Sequence, residues 1–136
     1  MRKFAALLVT LLAACAAPEP KGAGDPLSGT RWSLVSIGGS PVLASESTSM
    51  QFDKGRLAGS DGCNRYSTSY VASEKLLKIE PKMIGTRMAC PQPVMEEART
   101  FIEILGRTAS YRVDGDRLTL LESDGRPMAA LKKTAP

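Results

Sequence analysis

From residue 27 onward, apolar and polar positions alternate in short runs, the two-residue period of half-buried strands. Trp32, Leu34 and Ile37 mark a strand over residues 30–37, broken by Gly38-Gly39-Ser40-Pro41. Met50 and Phe52 alternate with polar neighbours before Asp53-Lys54-Gly55 turns the chain into Arg56-Leu57-Ala58. Residues 66–71 are another β-prone run, and 76–79 and 82–86 are two shorter ones on either side of Pro81. Tyr111 and Val113 alternate next. Asp114-Gly115-Asp116 then turns into Leu118-Thr119-Leu120, and Asp124-Gly125 into a last strand near residues 128–131.

One stretch changes period. Between Pro93 and Gly106, the residues Val94, Ala98, Phe101, Ile102 and Leu105 fall at i, i+4, i+7, i+8 and i+11. That is one face of a helix, over about residues 92–105. Pro91 and Pro93 suit its start, Glu96 and Glu97 its positive end, and Gly106 the position just past its last turn. Such a stripe is core material rather than a cofactor box. Many short strands and one amphipathic helix predict an α+β fold. The expected form is a curved antiparallel sheet or partly closed β-barrel, with the helix covering one opening.

The first 26 residues read differently. Met1-Arg2-Lys3 is positively charged, and the apolar run from Phe4 to Leu12 is far shorter than a membrane span, which takes about 20 residues. Residues 1–14 are therefore expected to be a signal peptide. Leu12-Ala13-Ala14-Cys15 resembles the bacterial lipobox, which makes Cys15 the lipidated residue and the membrane a partner through that anchor. An ordinary secretory signal containing a cysteine is the alternative. Ala16, rather than Asp, after the lipidated cysteine implies the periplasmic face of the outer membrane. Residues 15–26, rich in proline and glycine, read as the linker, with a span of roughly 17–20 Å as a flexible coil. The folded domain is expected over residues 27–133.

Composition removes chemistries. The chain has 136 residues, 18 Lys+Arg, 14 Asp+Glu and no histidine. Without histidine there is no Ser-His-Asp or Cys-His centre and no His-ligated metal. Three cysteines fall short of the four thiolates of an all-cysteine zinc site. No pattern pairs two carboxylates for acid–base work. The reading is a non-enzymatic domain with no cofactor and no metal. Loss of Arg2 and Lys3 with the leader halves the +4 net charge. Aromatics are 5% of the chain. Nucleic acid is thus not an expected partner. Trp32, the single tryptophan, reads as a core anchor.

Two motifs carry a resemblance. Gly29-Thr30-Arg31-Trp32 opens the first strand. Gly59-Ser60-Asp61-Gly62-Cys63-Asn64-Arg65-Tyr66 fits a Gly-x-x-Gly-Cys-Asn-x-Tyr pattern, and Thr86-Arg87-Met88-Ala89-Cys90 fits Thr-x-Met-x-Cys before a helix. With Glu97, Phe101 and the hairpin from Tyr111 to Leu120, these resemble the META domain of HslJ-type heat-shock lipoproteins. Thr68 departs from the pattern, where many members have glycine, and so does the Ala129-Ala130 strand. The resemblance implies a role in heat-shock or novobiocin tolerance.

With Cys15 committed to lipid, Cys63 and Cys90 remain, and in an oxidising compartment such a pair becomes a disulfide. A redox pair, or two free thiols, is the alternative. Gly59 and Gly62 read as a bulge or tight crossing rather than a phosphate loop. A binding face is expected around Asn64, Arg65, Tyr66 and Arg87, on a monomeric domain. Three functions stay open: a stress-tolerance lipoprotein, an inhibitor or partner of an envelope protease or lysozyme, and an apolar-ligand carrier.

Overall fold

The structure is a computed structural model and describes residues 24–135. The leader and Cys15 lie outside the described residues. The elements are β1 (Arg31–Ile37), β2 (Ser40–Pro41), β3 (Thr48–Asp53), β4 (Arg56–Asp61), β5 (Arg65–Ala72), β6 (Leu77–Ile79), β7 (Ile84–Gly85), α1 (Gln92–Arg107), β8 (Ser110–Asp114), β9 (Arg117–Leu121) and β10 (Pro127–Thr134). The strands form one antiparallel sheet in the order β6-β5-β4-β3-β1-β10-β9-β8, with β2 on β1 and β7 on β5. Its two ends nearly meet. Leu76 bridges Ser110, Leu77 N donates to Ala109 O at 3.2 Å, and Tyr111 N donates to Lys75 O at 3.0 Å. The result is the expected barrel with one unsealed seam.

Alternation fills the inside. Leu34 stands beside Leu131, and Leu131 beside Leu118, while Phe52 faces Leu57. Trp32, Leu34, Met50, Phe52, Leu118 and Leu120 are all fully buried. Each such side chain contributes about 1.5–3 kcal/mol by leaving water. Trp32 is the core anchor expected of it, and its indole N–H donates to Thr30 Oγ1 at 2.8 Å. The helix buries Ala98, Phe101, Ile104 and Leu105, and the Phe101 ring meets Tyr66 edge-on at 6.3 Å.

The helix differs from its expected form in three places. Ile104 is buried where Ile102 was expected, and Ile102 is half-buried on the flank. The last turn takes in Gly106. Thr108 ends the helix, its amide bonding Leu105 O and its hydroxyl Ile104 O at 2.8 Å. The first turn holds no acidic residue. Glu97 reaches out of the helix instead, and its carboxylate accepts the amides of Leu43 and Ala44 at 2.8–3.0 Å. These bonds fasten the long β2–β3 connection to the helix, and no sequence signal marks them.

Strand lengths also shift. The run expected over residues 82–86 pairs only at Ile84 and Gly85, because Thr86 turns aside to bond Asn64 and Arg65. Thr68, the departure from the family pattern, fits its place. Its hydroxyl lies 2.8 Å from Glu80 O and 3.3 Å from Lys82 O, holding the segment around Pro81 against β5.

Candidate functional site

The Cys63 loop is built by local hydrogen bonds. Asp61 Oδ1 accepts the amides of Cys63 at 2.9 Å and Asn64 at 2.6 Å, and Asp61 N donates to Asn64 O at 2.9 Å. This Asp-led turn needs Gly62 in the left-handed region, with φ +98°. A Cβ there would also stand 2.9 Å from Thr48 Oγ1. The turn delivers Cys63 to Cys90, and the two are joined by a disulfide with Cα atoms 6.0 Å apart. The bond ties the β4–β5 loop to the start of α1.

Asn64 adds a second tie. Its Oδ1 accepts from Met88 N and from Thr86 Oγ1 at 2.9 Å, while its Nδ2 donates to Met88 O at 3.4 Å. Thr86 N donates to Arg65 O at 3.0 Å, and Arg65 N to Thr86 Oγ1 at 3.0 Å. Residues 86–90 have no regular secondary structure. They are held in place by these bonds and the disulfide.

The four residues of the expected face therefore separate. Arg65 and Arg87 are exposed. Asn64 is half-buried, with both ends of its amide engaged in the scaffold. Tyr66 is a correction. It is 5% exposed and points into the barrel, and its hydroxyl donates to Ser49 O at 2.8 Å. Alternation along β5 puts Tyr66 on the inner side and Arg65 on the outer one. Gly59, opposite Tyr66, makes the hydroxyl's reach possible, and it is a close approach of strands as expected of it.

The titratable groups follow the same division. Burial, then the Asp61 charge, holds the Tyr66 phenol far above its ordinary value. Burial and the hydrogen bond to Asp25 push Tyr70 up to about 12. Tyr111 is raised chiefly by burial, with its hydroxyl on Ser73 O at 2.6 Å. Glu122, clamped by Arg107 and Arg126, lies below the usual carboxylate range because those guanidiniums hydrogen-bond its charged form. No group of three or more metal-ligating side chains occurs among the described residues. No helix among them is long and apolar enough to cross a membrane.

A concave surface adjoins Arg65. On the outer face of β5-β4-β3-β1-β10 lies a groove of about 460 Å³, lined by Arg31, Ser33, Ser49, Ser60, Arg65 and Thr134, among others. Most of its lining side chains are polar positions of the alternation. They were legible as outward-facing, but the strand order that gathers them was not.

Three solved structures share this architecture. One, an NMR structure, is 27% identical, covers 78% of this chain and 90% of its own, and superposes with a TM-score of 0.62. An NMR structure of a Burkholderia xenovorans protein is 19% identical over 94% of this chain and all of its own, with a TM-score of 0.63. The crystal structure of a DUF4847 family protein from Bacteroides vulgatus ATCC 8482 is 14% identical, covers 79% of this chain and 94% of its own, and gives a TM-score of 0.62. The latter two establish likeness of fold alone. No curated relative matches the chain. The META domain family model matches residues 25–135, which is almost everything described above, so the chain belongs to the META domain family.

Proposed function

We propose that the protein is a non-catalytic, lipid-anchored envelope lipoprotein whose META domain acts by binding, with a role in heat or novobiocin tolerance. One observation carries this reading: the side chains best equipped for chemistry are committed to the fold. Both domain thiols sit in the Cys63–Cys90 disulfide. The phenols of Tyr66 and Tyr111 donate to backbone carbonyls, and that of Tyr70 to Asp25. A disulfide belongs to an oxidising compartment, in keeping with export past the signal peptide. The barrel interior is filled by Trp32, Phe52, Phe101 and their neighbours, which counts against the apolar-carrier reading.

The lipid anchor at Cys15 gives the test. Cys15→Ser should release the protein from washed membranes, and cells carrying it in place of the parent should survive heat and novobiocin less well. Retention of the Ser variant in washed membranes overturns the anchor. Unchanged tolerance in cells lacking the protein altogether overturns the role.

A further inference from the structure

We propose that the outer-face groove between Arg31 and Arg65 is a binding site for a short anionic saccharide. The inference rests on the reading that the domain acts by binding, and not on the lipid anchor. Arg65 lies on β5 and Arg31 on β1, three strand spacings apart, or about 14 Å across the strands. Neither makes an ion pair among the described residues, whose salt bridges join Arg107 and Arg126 to Glu122. Arg31 keeps one bond, Nη2 to Gln51 Oε1 at 2.7 Å, which orients it and leaves its other donors unused. Two guanidiniums at the ends of a groove suit an extended ligand with a carboxylate or phosphate toward each end, since the planar fork binds both bidentately.

The floor between them is hydroxyl-rich. The register carries Arg65 to Ser60, Ser60 to Ser49 and Ser49 to Ser33 in one row across four strands. Ser49 Oγ and Ser60 Oγ each accept a backbone amide, from Ser60 at 3.3 Å and Gly62 at 3.2 Å. Their own protons are therefore available to a ligand oxygen. Thr134 closes the groove beside Arg31. Glu46 on the rim adds an acceptor for sugar hydroxyls. Every aromatic side chain among the described residues is buried, so the groove lacks the aromatic anchors that dominate protein interfaces. Small hydroxyls and two separated cations fit a chain of hydroxyls with charged ends better than they fit a protein.

The test is calorimetry on the purified full chain, with digalacturonate as probe and maltose, inorganic phosphate and a triglutamate peptide as comparisons. Digalacturonate should bind saturably, the other three at least about tenfold more weakly, and amide NMR shifts should map to Ser33, Ser49 and Ser60. Arg31→Gln and Arg65→Gln should each weaken binding about tenfold, with an unchanged thermal midpoint, because both side chains are exposed. Equal binding of phosphate or maltose, equal binding of triglutamate, or full affinity in the arginine variants would each overturn the assignment. Failure here leaves untouched the heat and novobiocin survival of cells lacking the protein, so the saccharide assignment and the tolerance role fall separately.

Discussion

Replacing Gly59 with alanine tests the argument for the close crossing of β3 and β4. The added Cβ would stand 2.0 Å from Ser49 O, 2.8 Å from Ser49 C and 3.1 Å from the Tyr66 hydroxyl. The first two are backbone atoms inside a paired sheet, Met50 facing Gly59 and Ser49 facing Ser60. They cannot swing away as the end of a flexible side chain would. One strand must retreat, at about 1–3 kcal/mol for overpacking. The retreat also breaks the 2.8 Å bond from the Tyr66 hydroxyl to Ser49 O. The displaced phenol is buried, so losing its partner costs about 1–3 kcal/mol more. Together the loss should be about 4 kcal/mol, a large share of the roughly 5–15 kcal/mol that holds a domain folded. Urea unfolding should show it as a lower midpoint at unchanged slope. Tyr66→Phe removes only the hydrogen bond and should cost about 1–2 kcal/mol. The double variant should cost less than the sum, because both changes act on one contact. A Gly59→Ala protein within about 0.5 kcal/mol of the parent would refute the reasoning.

Removing the disulfide, by reductant or by Cys63→Ala with Cys90→Ala, should cost about 3.5 kcal/mol by the loop-entropy relation, the cysteines being 27 positions apart; an unchanged urea midpoint would contradict this. Alkaline pH should also destabilise the protein. Unfolded tyrosine gives up its proton near pH 10, whereas Tyr70 holds it to about 12. The stability from burying neutral Tyr70 is thus fully present below pH 10 and is lost as pH rises toward 12. The slope should be about 1.4 kcal/mol per pH unit for each tyrosine so held. Tyr70→Phe should lessen the slope without abolishing it, because Tyr66 and Tyr111 are raised as well, and a level profile from pH 9 to 12 in the parent would defeat the prediction.

The barrel was legible because strands such as β1 and β3 carry a two-residue period, though β10 buries four residues in a row, and the helix because Ala98, Phe101 and Leu105 break that period. What escaped was set by long-range partners. Glu97 reads as a helix-dipole residue until the β2–β3 connection is seen to bring the Leu43 and Ala44 amides beneath it. Gly106 reads as a helix stop, but the Thr108 hydroxyl, bonding back to Ile104 O, sets the end. Tyr66 was grouped with Arg65 by motif, although neighbours in a strand point to opposite faces. Alternation alone would have separated them. The groove escaped for a different reason. Arg31, Ser49, Ser60 and Arg65 come together only once the order β5-β4-β3-β1 is known, and local pattern does not specify strand order.

The two motifs also show how the family's common residues divide from this chain's own. In Gly-x-x-Gly-Cys-Asn-x-Tyr, the fixed positions are Gly59, Gly62, Cys63, Asn64 and Tyr66. Each is used by the fold, as a close approach, a left-handed turn, a disulfide, a segment clamp and a buried hydroxyl. In Thr-x-Met-x-Cys, the Thr86 hydroxyl bonds Asn64 and Cys90 closes the disulfide, whereas Met88 meets Asn64 through its backbone alone and its side chain is exposed. The open positions Arg65 and Arg87 are exposed, as are Thr86 and Met88 among the fixed ones. Apart from Met88, the fixed side chains therefore build a scaffold, and the proposed groove draws on Arg65, a position the motif leaves open. Substitutions at the fixed positions should act through stability. Those at Arg65, and at Arg31 across the groove, should act on binding with the fold intact.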